Sequence, residues 1–579
     1  MRRRRTTVQL AAFLVAVGML AAACGSSKKT ATATTVGGVT TTGQATTTTA
    51  APQGGDLVLG AEQEPDCVDW IATCAQSSWG IYTMGSQTMP RPYDVDSKGN
   101  FVPTILLTEA PTLESSPVQK VTYKLNPKAV WDDGQPITAT DFKYTVDQIC
   151  GNTAAAPSAD CTAGKDILST IGYKDIAKVD DTDPKTVVVT FKTGKTYGDW
   201  QDLFAQGALF PSHLLQGKDR DALTKDGYTF SGGPWKIDHW TKGAEVKLVP
   251  NKAYWGKVPN LNSVTFKFLA DQAAELEAYK TGQVAAIYPQ VSPDLPALKT
   301  LADTKFDTIT GLSYEAFWFN AAAEPFTDVA VRKAFGFAVD RDIIVQQLFG
   351  QVQPDIKPIN AFMTPANATF YGSEPFKNFK LDLKQVDTIL TGAGWAKGAD
   401  GVYAKAGKKL EITIKSTAGN KRRELTEQLL QSQLKDAGIT LVIANEKASV
   451  LFNDTLVKGN YQLSLYAQVP GSSDPGLCTV FCSDQIPSAA NGNAGQNNSR
   501  INDPAVDKAF KDLDSAFDPG KRKDLSDQGQ KALADFVAGL PLDPFPDTVI
   551  YNTAKIGGPV GHNVYIGPFF NMNEWFLKK

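Results

Sequence analysis

The sequence predicts an α/β protein, and three observations carry that prediction. In the second half of the chain helices and strands follow one another closely: Asn420 caps a helix through Leu425, Leu429 and Leu434 that stops at Gly438, and the β-rich run 439–444 begins directly after it. The first half carries alternating or β-branched stretches bounded by turn formers, Val121, Tyr123 and Leu125 among them. The 579 residues are 42% hydrophobic and 21% charged, which permits a large core and excludes wholesale disorder or a many-span membrane protein. Helix and strand in close succession argue for layers of both.

In chain order, the amino end reads as an export signal. Arg2 to Arg5 precede an apolar run at 10–23 that closes on Ala21, Ala22 and Ala23. That run is shorter than the about 20 apolar residues a bilayer span needs. Its removal, residues 1–23, takes away four arginines and leaves a mildly acidic chain. The next stretch, 24–53, is almost all Thr, Ala, Gly and Ser, so it has too little apolar surface to fold and acts as a tether with a root-mean-square reach of roughly 30 Å.

Beyond Cys24 six cysteines remain, in three close pairs: Cys67 with Cys74, Cys150 with Cys161, and Cys478 with Cys482. An even remainder in an exported chain points to local disulfides. No C-x2-C occurs, and His213, His239 and His562 are scattered, so no metal site is expected.

The folded body begins with a short strand at 56–60. Val121, Tyr123 and Leu125 mark a half-buried strand, Trp131 to Pro136 form a turn, and Thr138 opens a helix reaching Ile149. Thr186 to Phe191 is a further β-branched strand. Strands at 245–250 and 263–269 bracket a loop containing Tyr254 and Trp255, and a helix at 271–281 stops at Gly282. Val331, Phe335, Ala338 and Val339 lie at helical spacing within 328–349.

Lys192 to Thr196 imitates the end of a phosphate loop, but Val189 stands where glycine is required, and Gly392-Ala393-Gly394 lacks the third glycine of a dinucleotide site. Neither a G-x-S-x-G elbow nor an H-E-x-x-H occurs. No enzyme activity and no cofactor are expected. With 58 Lys+Arg against 61 Asp+Glu there is no basic field to attract nucleic acid.

Four ordered segments give a resemblance. They are Val121 through Trp131-Asp132-Asp133-Gly134-Gln135-Pro136 to Asp141-Phe142; Ser231-Gly232-Gly233-Pro234-Trp235 with Asn251 to Trp255; Phe319-Asn320, Pro325-Phe326 and Val331-Arg332 to Asp340-Arg341; and Ala393-Gly394-Trp395 through Gly438-Ile439. Together with Trp575 near the end they resemble the peptide- and nickel-type family 5 of extracellular solute-binding proteins of ABC importers. The segment before Cys24 likewise resembles a bacterial lipobox, with Ala21 where leucine is usual, which implies a lipidated Cys24 and attachment to the outer face of the cell membrane.

The family resemblance implies a two-lobed periplasmic-binding-protein-like fold of type II. Lobe I would comprise 54–311 plus 541–579, with a strand-rich subdomain at about 91–200, and lobe II 312–540. The implied ligand contacts are Glu62 and Glu64 at the end of the first strand, Tyr314, Phe317 and Trp318 on the strand before Phe319-Asn320, and Gln468 and Asp474 in lobe II. Trp131, Tyr254, Trp255, Arg332 and Asp340 are expected to be architectural. Many peptide binders of the family carry an aspartate where this chain has Gly471. The resemblance implies a monomeric receptor that captures a small solute, an oligopeptide first, and delivers it to a permease driven by a separate ATPase. An oligosaccharide or other polar metabolite, or a surface-anchored sensory role, are the competing readings.

Overall fold

The computed structural model describes residues 52–579, apart from 76, 97–99, 152–160, 162–163, 206–208, 293, 352, 368–369, 471–475 and 565. The export signal, Cys24, most of the tether and Asp474 lie outside the described residues.

Among the described residues ten strands form one mixed sheet. Their order across it is Thr440–Ile443, Glu411–Lys415, Leu463–Gln468, Thr304–Phe319, Gly539–Asn552, Ala286–Ile287, Asp56–Ala61, Ser263–Phe268, Glu245–Pro250 and Trp235–Thr241. Asp56–Ala61 runs parallel to both Ser263–Phe268 and Ala286–Ile287, whereas the two long strands Thr304–Phe319 and Gly539–Asn552 are antiparallel. A separate antiparallel sheet joins Thr112–Glu114, Lys120–Lys124, Thr186–Phe191 and Ile176–Asp183. Val121, Val187 and Val189 face its core with no exposure.

Two large apolar cores lie along the sheet. One gathers Leu57, Trp131, Trp235, Phe266 and, from the end of the chain, Phe569 and Trp575. The other gathers Phe317, Trp318, Phe335, Tyr403, Leu434, Phe481 and Leu533. The strand Gly539–Asn552 contributes Leu540 and Leu542 to the second core and Val549 and Tyr551 to the first, so it ties the two together.

Local chemistry explains the helix ends. Thr138 and Asp141 form a capping box before Ala139–Ile149, and Asp271 caps Gln272–Lys280 through the Ala274 amide. Asn420 accepts from the Arg423 amide to start Lys421–Asp436, and Gly438 follows its end at φ +81°. The periodic stretch at 328–349 is two helices, Val329–Ala338 and Arg341–Phe349, because the Asp340 side chain turns to accept from the Ile343 amide and opens a second helix. Arg332 closes the first of these against the second core, donating to the carbonyls of Phe326 at 2.6 Å and Phe536 at 2.9 Å.

The three cysteine pairs are disulfides: Cys67–Cys74, Cys150–Cys161 and Cys478–Cys482. Among the described residues no helix is long and apolar enough to cross a membrane.

Candidate functional site

The carboxyl ends of three strands converge: Asp56–Ala61 delivers Glu62, Ala286–Ile287 delivers Tyr288, and Leu463–Gln468 ends at Gln468. In an open α/β sheet such ends leave a crevice that the helices do not fill. Here they border a cavity that is partly open to solvent. Its walls mix aromatic side chains, Trp79, Tyr82, Tyr288, Phe452, Tyr466 and Phe545, with polar ones such as Gln63, Ser78 and Gln496. Concave walls that join apolar surface with placed polar groups are what a small-ligand site requires, and here the polar share is high.

The long strands are shaped for this purpose. Their register shifts between Thr310 and Tyr314, so that Gly311, Leu312 and Ser313 face a single partner, Phe545. A bulge of this kind re-aims side chains, and Ser313, Phe545 and Asp547 all line the cavity. Gly311 leaves room for the Asp547 carboxylate: a Cβ there would lie 2.0 Å from Oδ2 and would have to displace it.

The first turn of Lys421–Asp436 brings in the cations. Arg422 and Arg423 converge on Glu315, Arg423 through its Nε at 2.7 Å from Oε1. Arg422 also donates to Gln290 Oε1 at 2.9 Å, and Asn420 donates to the same oxygen at 2.5 Å, linking this helix to the loop after Ala286–Ile287. Burial alone would raise the Glu315 carboxyl, but the two guanidinium groups outweigh it and hold it down at about 2. Asp543, buried beside this group and repelled by Glu315, is pushed well above the carboxylate range.

The cavity carboxyls behave differently. Burial pushes Glu62 up to about 7 against the pull of Arg423 and Arg422. Burial likewise raises Asp547 to about 6, opposed by His562 and by the Tyr288 hydroxyl, which donates to Oδ1 at 2.8 Å. For both acids the cost of burial outweighs the opposing charges and hydrogen bonds, so desolvation wins.

Of the residues named from sequence, Glu62 and Gln468 line the cavity together. Glu64 does not: its carboxylate accepts from Trp240 Nε1 at 2.9 Å and from the Gly243 amide at 3.0 Å, which pins the hairpin turn beyond Trp235–Thr241. Tyr314, Phe317 and Trp318 are 2%, 0% and 1% exposed and pack in the second core. The reason is their place in the sheet, since every residue from Gly311 to Phe319 is buried on a strand covered on both faces. Trp318 acts one layer back, stacking on Tyr466 with ring centroids 5.1 Å apart and donating Nε1 to the Tyr466 carbonyl at 2.9 Å. Asp474 lies outside the described residues.

Sequence reasoning missed Arg423, Asp547, Trp79, Tyr288 and Asn498, which line the cavity from five separate segments. The Thr/Gly/Pro-rich character around 308–313 and 541–546, which disturbs strand pairing, was the one local signal pointing near Asp547. Among the described residues Cys478, Cys482 and Asp484 are the one group spaced for a metal, and both sulfurs are already joined to each other.

Comparisons with known proteins agree with this architecture. Residues 103–483 match the model of the bacterial extracellular solute-binding proteins, family 5 middle. Oligopeptide-binding protein OppA of Mycobacterium tuberculosis is 27% identical over 480 residues, covering 81% of this chain and 76% of that protein. Oligopeptide-binding protein AppA of Bacillus subtilis is 25% identical over 537 residues, covering 91% of this chain and 92% of the relative. The structure of the Bacillus subtilis AppA in complex with a nonapeptide superposes with a TM-score of 0.79 at 22% identity, covering 91% of this chain and 100% of that one. NikZ of Campylobacter jejuni in complex with Ni(L-His) gives a TM-score of 0.76 at 21% identity, covering 90% and 99%. With two thirds of its length matched to the family model, the chain belongs to the bacterial extracellular solute-binding proteins of family 5.

Proposed function

We propose that this protein is the receptor of an ABC importer, capturing an oligopeptide between two lobes and delivering it to a permease driven by a separate ATPase. The observation that carries the reading is the cavity, whose walls come from both apolar cores: Trp79 and Tyr82 from one, Tyr466 from the other. A ligand touching both favours the closed arrangement by its differential contacts alone. The curated relatives named oligopeptide-binding proteins supply the ligand class.

In this reading lobe I is 54–311 with 541–579, lobe II is 312–540, and the extracellular receptor is held to the membrane by lipid on Cys24 through the tether. The test is native mass spectrometry of the protein beginning at Gly25, compared with its denatured mass. One peptide adduct per monomer, lost on denaturation, with a smaller radius of gyration in small-angle scattering, is the expected result. A saturated protein with unchanged scattering would overturn capture by closure, and an adduct without amino-acid fragments would overturn the peptide.

A further inference from the structure

Away from the cavity, a groove opens on the surface over the first core. It lies between the segment Pro103 to Leu106, the loop Tyr254 to Lys257 and the end of the chain at Phe570 to Glu574, and it shares no residue with the cavity. Apolar side chains gather around it. Val102, Ile105 and Val258 are 43%, 47% and 45% exposed, and among the described residues before 311 only Leu223 is another large apolar side chain left so open. Three of four in one place make a patch, and a patch of this kind marks a contact surface.

Aromatic rings complete the patch. Tyr254 and Trp255, both partly exposed, lie with centroids 5.0 Å apart, and Phe570 lines the same groove. Ile105 and the Tyr254 ring close on Gly256, where a Cβ would lie 2.5 and 2.6 Å from them, and Trp255 Nε1 donates to the Ile105 carbonyl at 3.4 Å. Loop and segment therefore present one surface. The groove holds four charged side chains, and they answer one another: Arg91 pairs with Asp94, and Lys257 with Glu574 at 3.3 Å. What remains for a partner is apolar and aromatic contact without net charge.

The place where the chain enters the body says what covers this face. Gln53 Nε2 donates to Asn260 Oδ1 and the Gly54 amide to the Asn260 carbonyl, each at 2.7 Å. Asn260 Nδ2 in turn donates to the carbonyl of Glu574 at 3.0 Å, so the entry point is joined through one side chain to the rim of the groove. Residues 25–52 alone separate it from Cys24, and a stretch of that length and composition has a root-mean-square reach of about 30 Å. A face at the foot of so short a tether meets the anchoring bilayer at an effective concentration on the order of millimolar. Trp and Tyr, apolar with a polar tip, prefer the boundary between lipid and water.

We infer that this groove is a membrane-contact face: Tyr254, Trp255 and Phe570, with the aliphatic rim of Val102, Ile105 and Val258, settle into the headgroup boundary of the bilayer that anchors the protein, held by apolar burial rather than by attraction to anionic lipid. The inference rests on the anchoring at Cys24 in the receptor reading and is independent of the ligand.

The other six cysteines are joined as disulfides, so a maleimide lipid couples to Cys24 alone. The protein beginning at Cys24 is coupled in this way to phosphatidylcholine vesicles, and a second portion is capped with N-ethylmaleimide and mixed with the same vesicles. The coupled lipid supplies the anchor, so the test does not depend on lipidation in the cell. Hydroxyl-radical oxidation is read residue by residue by mass spectrometry. Tyr254, Trp255 and Phe570 are expected to oxidise at least about threefold more slowly in the anchored protein, at low and high salt alike, while Ile343 and Ile443, exposed elsewhere, keep their rates. Ile105→Ser combined with Val258→Ser, both at exposed positions, should lose most of that slowing.

Equal rates in anchored and capped protein would overturn the inference, as would equal slowing at Ile343 and Ile443 or slowing abolished by salt. Slowing on native membranes that vanishes on vesicles of their extracted lipids would assign the groove to a membrane protein and overturn the lipid contact. Peptide retention is measured on the same protein; since groove and cavity share no residue, a failure here with retention unchanged leaves the receptor reading intact.

Discussion

Arg422 grips Glu315 through both ends of its guanidinium, Nη1 lying 2.6 Å from Oε2 and Nη2 2.7 Å from Oε1, with neither side chain exposed at all. Glu315 sits on the long strand Thr304–Phe319 and Arg422 in the first turn of Lys421–Asp436. The pair therefore fastens a helix to the sheet beneath the cavity, and Arg423 shares the same carboxylate. Fork-on-fork geometry of this kind fixes orientation as well as energy.

Breaking the pair from one side is predicted to be far worse than removing it. Arg422→Met leaves Glu315 buried with only Arg423, and a loss of about 3 kcal/mol or more in unfolding free energy is expected. Glu315→Gln combined with Arg422→Met is expected to cost clearly less than the sum of the two single changes. Urea unfolding of the three variants measures the coupling; simple additivity would show that the two side chains do not act as a unit.

The pH profile of stability separates the two kinds of buried acid. Glu315, held down at about 2, contributes stability present above its unfolded value near 4.5 and lost as pH falls through 2. Glu62, raised to about 7, contributes in the opposite sense: its share is present below about 4.5 and is lost as pH rises through 7. In Glu62→Gln the decline of unfolding free energy between pH 5 and pH 8 should be shallower than in the unaltered protein. Denaturant titrations across that window decide it, and parallel profiles would remove Glu62 as a titrating group there.

The Cys478–Cys482 bridge is predicted to matter more for binding than for folding. It closes the short helix Leu477–Phe481, which holds the cavity wall by backbone: the Gln496 amide donates to Thr479 O at 3.3 Å and Asn497 Nδ2 to Cys482 O at 3.0 Å. Gln496 and Asn498 on either side line the cavity. A loop this small contributes about 2 kcal/mol or less by restricting the unfolded chain. The Cys478→Ser/Cys482→Ser double variant should thus stay folded yet lose severalfold in affinity for a retained peptide. Unchanged affinity by calorimetry would show that the wall holds without the bridge.

Much of the frame was legible because its signals are local. Capping side chains such as Thr138, Asp271 and Asn420 announce helix starts within three residues, and alternation at Val121 and Tyr123 announces a strand. The break at Asp340 escaped because apolar spacing runs on through it, and only the side chain's turn to the Ile343 amide ends one helix and starts another. The site was half legible. Glu62 and Gln468 stand at strand ends, where chain position and cavity coincide. Trp318 misled because aromatic character is the same in a core as in a pocket, and only the two-sided cover of its strand distinguishes them. Asp547 and Arg423 had no motif to mark them; a bulge and a helix turn distant in sequence bring them to the same cavity.

One contact away from the cavity bears on closure itself. Asp199, in the segment after the four-stranded sheet, is ion-paired with Arg522 of Pro519–Phe536, and both are 8% exposed. Arg522 also donates to Ala516 O at 2.8 Å, Thr196 Oγ1 donates to Ser515 O at 3.0 Å, and a Cβ on Gly198 would lie 2.2 Å from Ala516 O. None of these residues lines the cavity. The pair therefore biases the protein toward the arrangement in which these segments touch, without contacting ligand. Asp199→Asn keeps the shape and removes the charge, so the touching arrangement becomes a smaller fraction of the population and apparent affinity falls in proportion. A fall of roughly tenfold for a retained peptide is expected, with a larger radius of gyration in small-angle scattering before ligand is added and the same compact radius at saturation. A variant whose scattering and affinity both match the unaltered protein would show that Asp199 and Arg522 serve the packing of that corner alone.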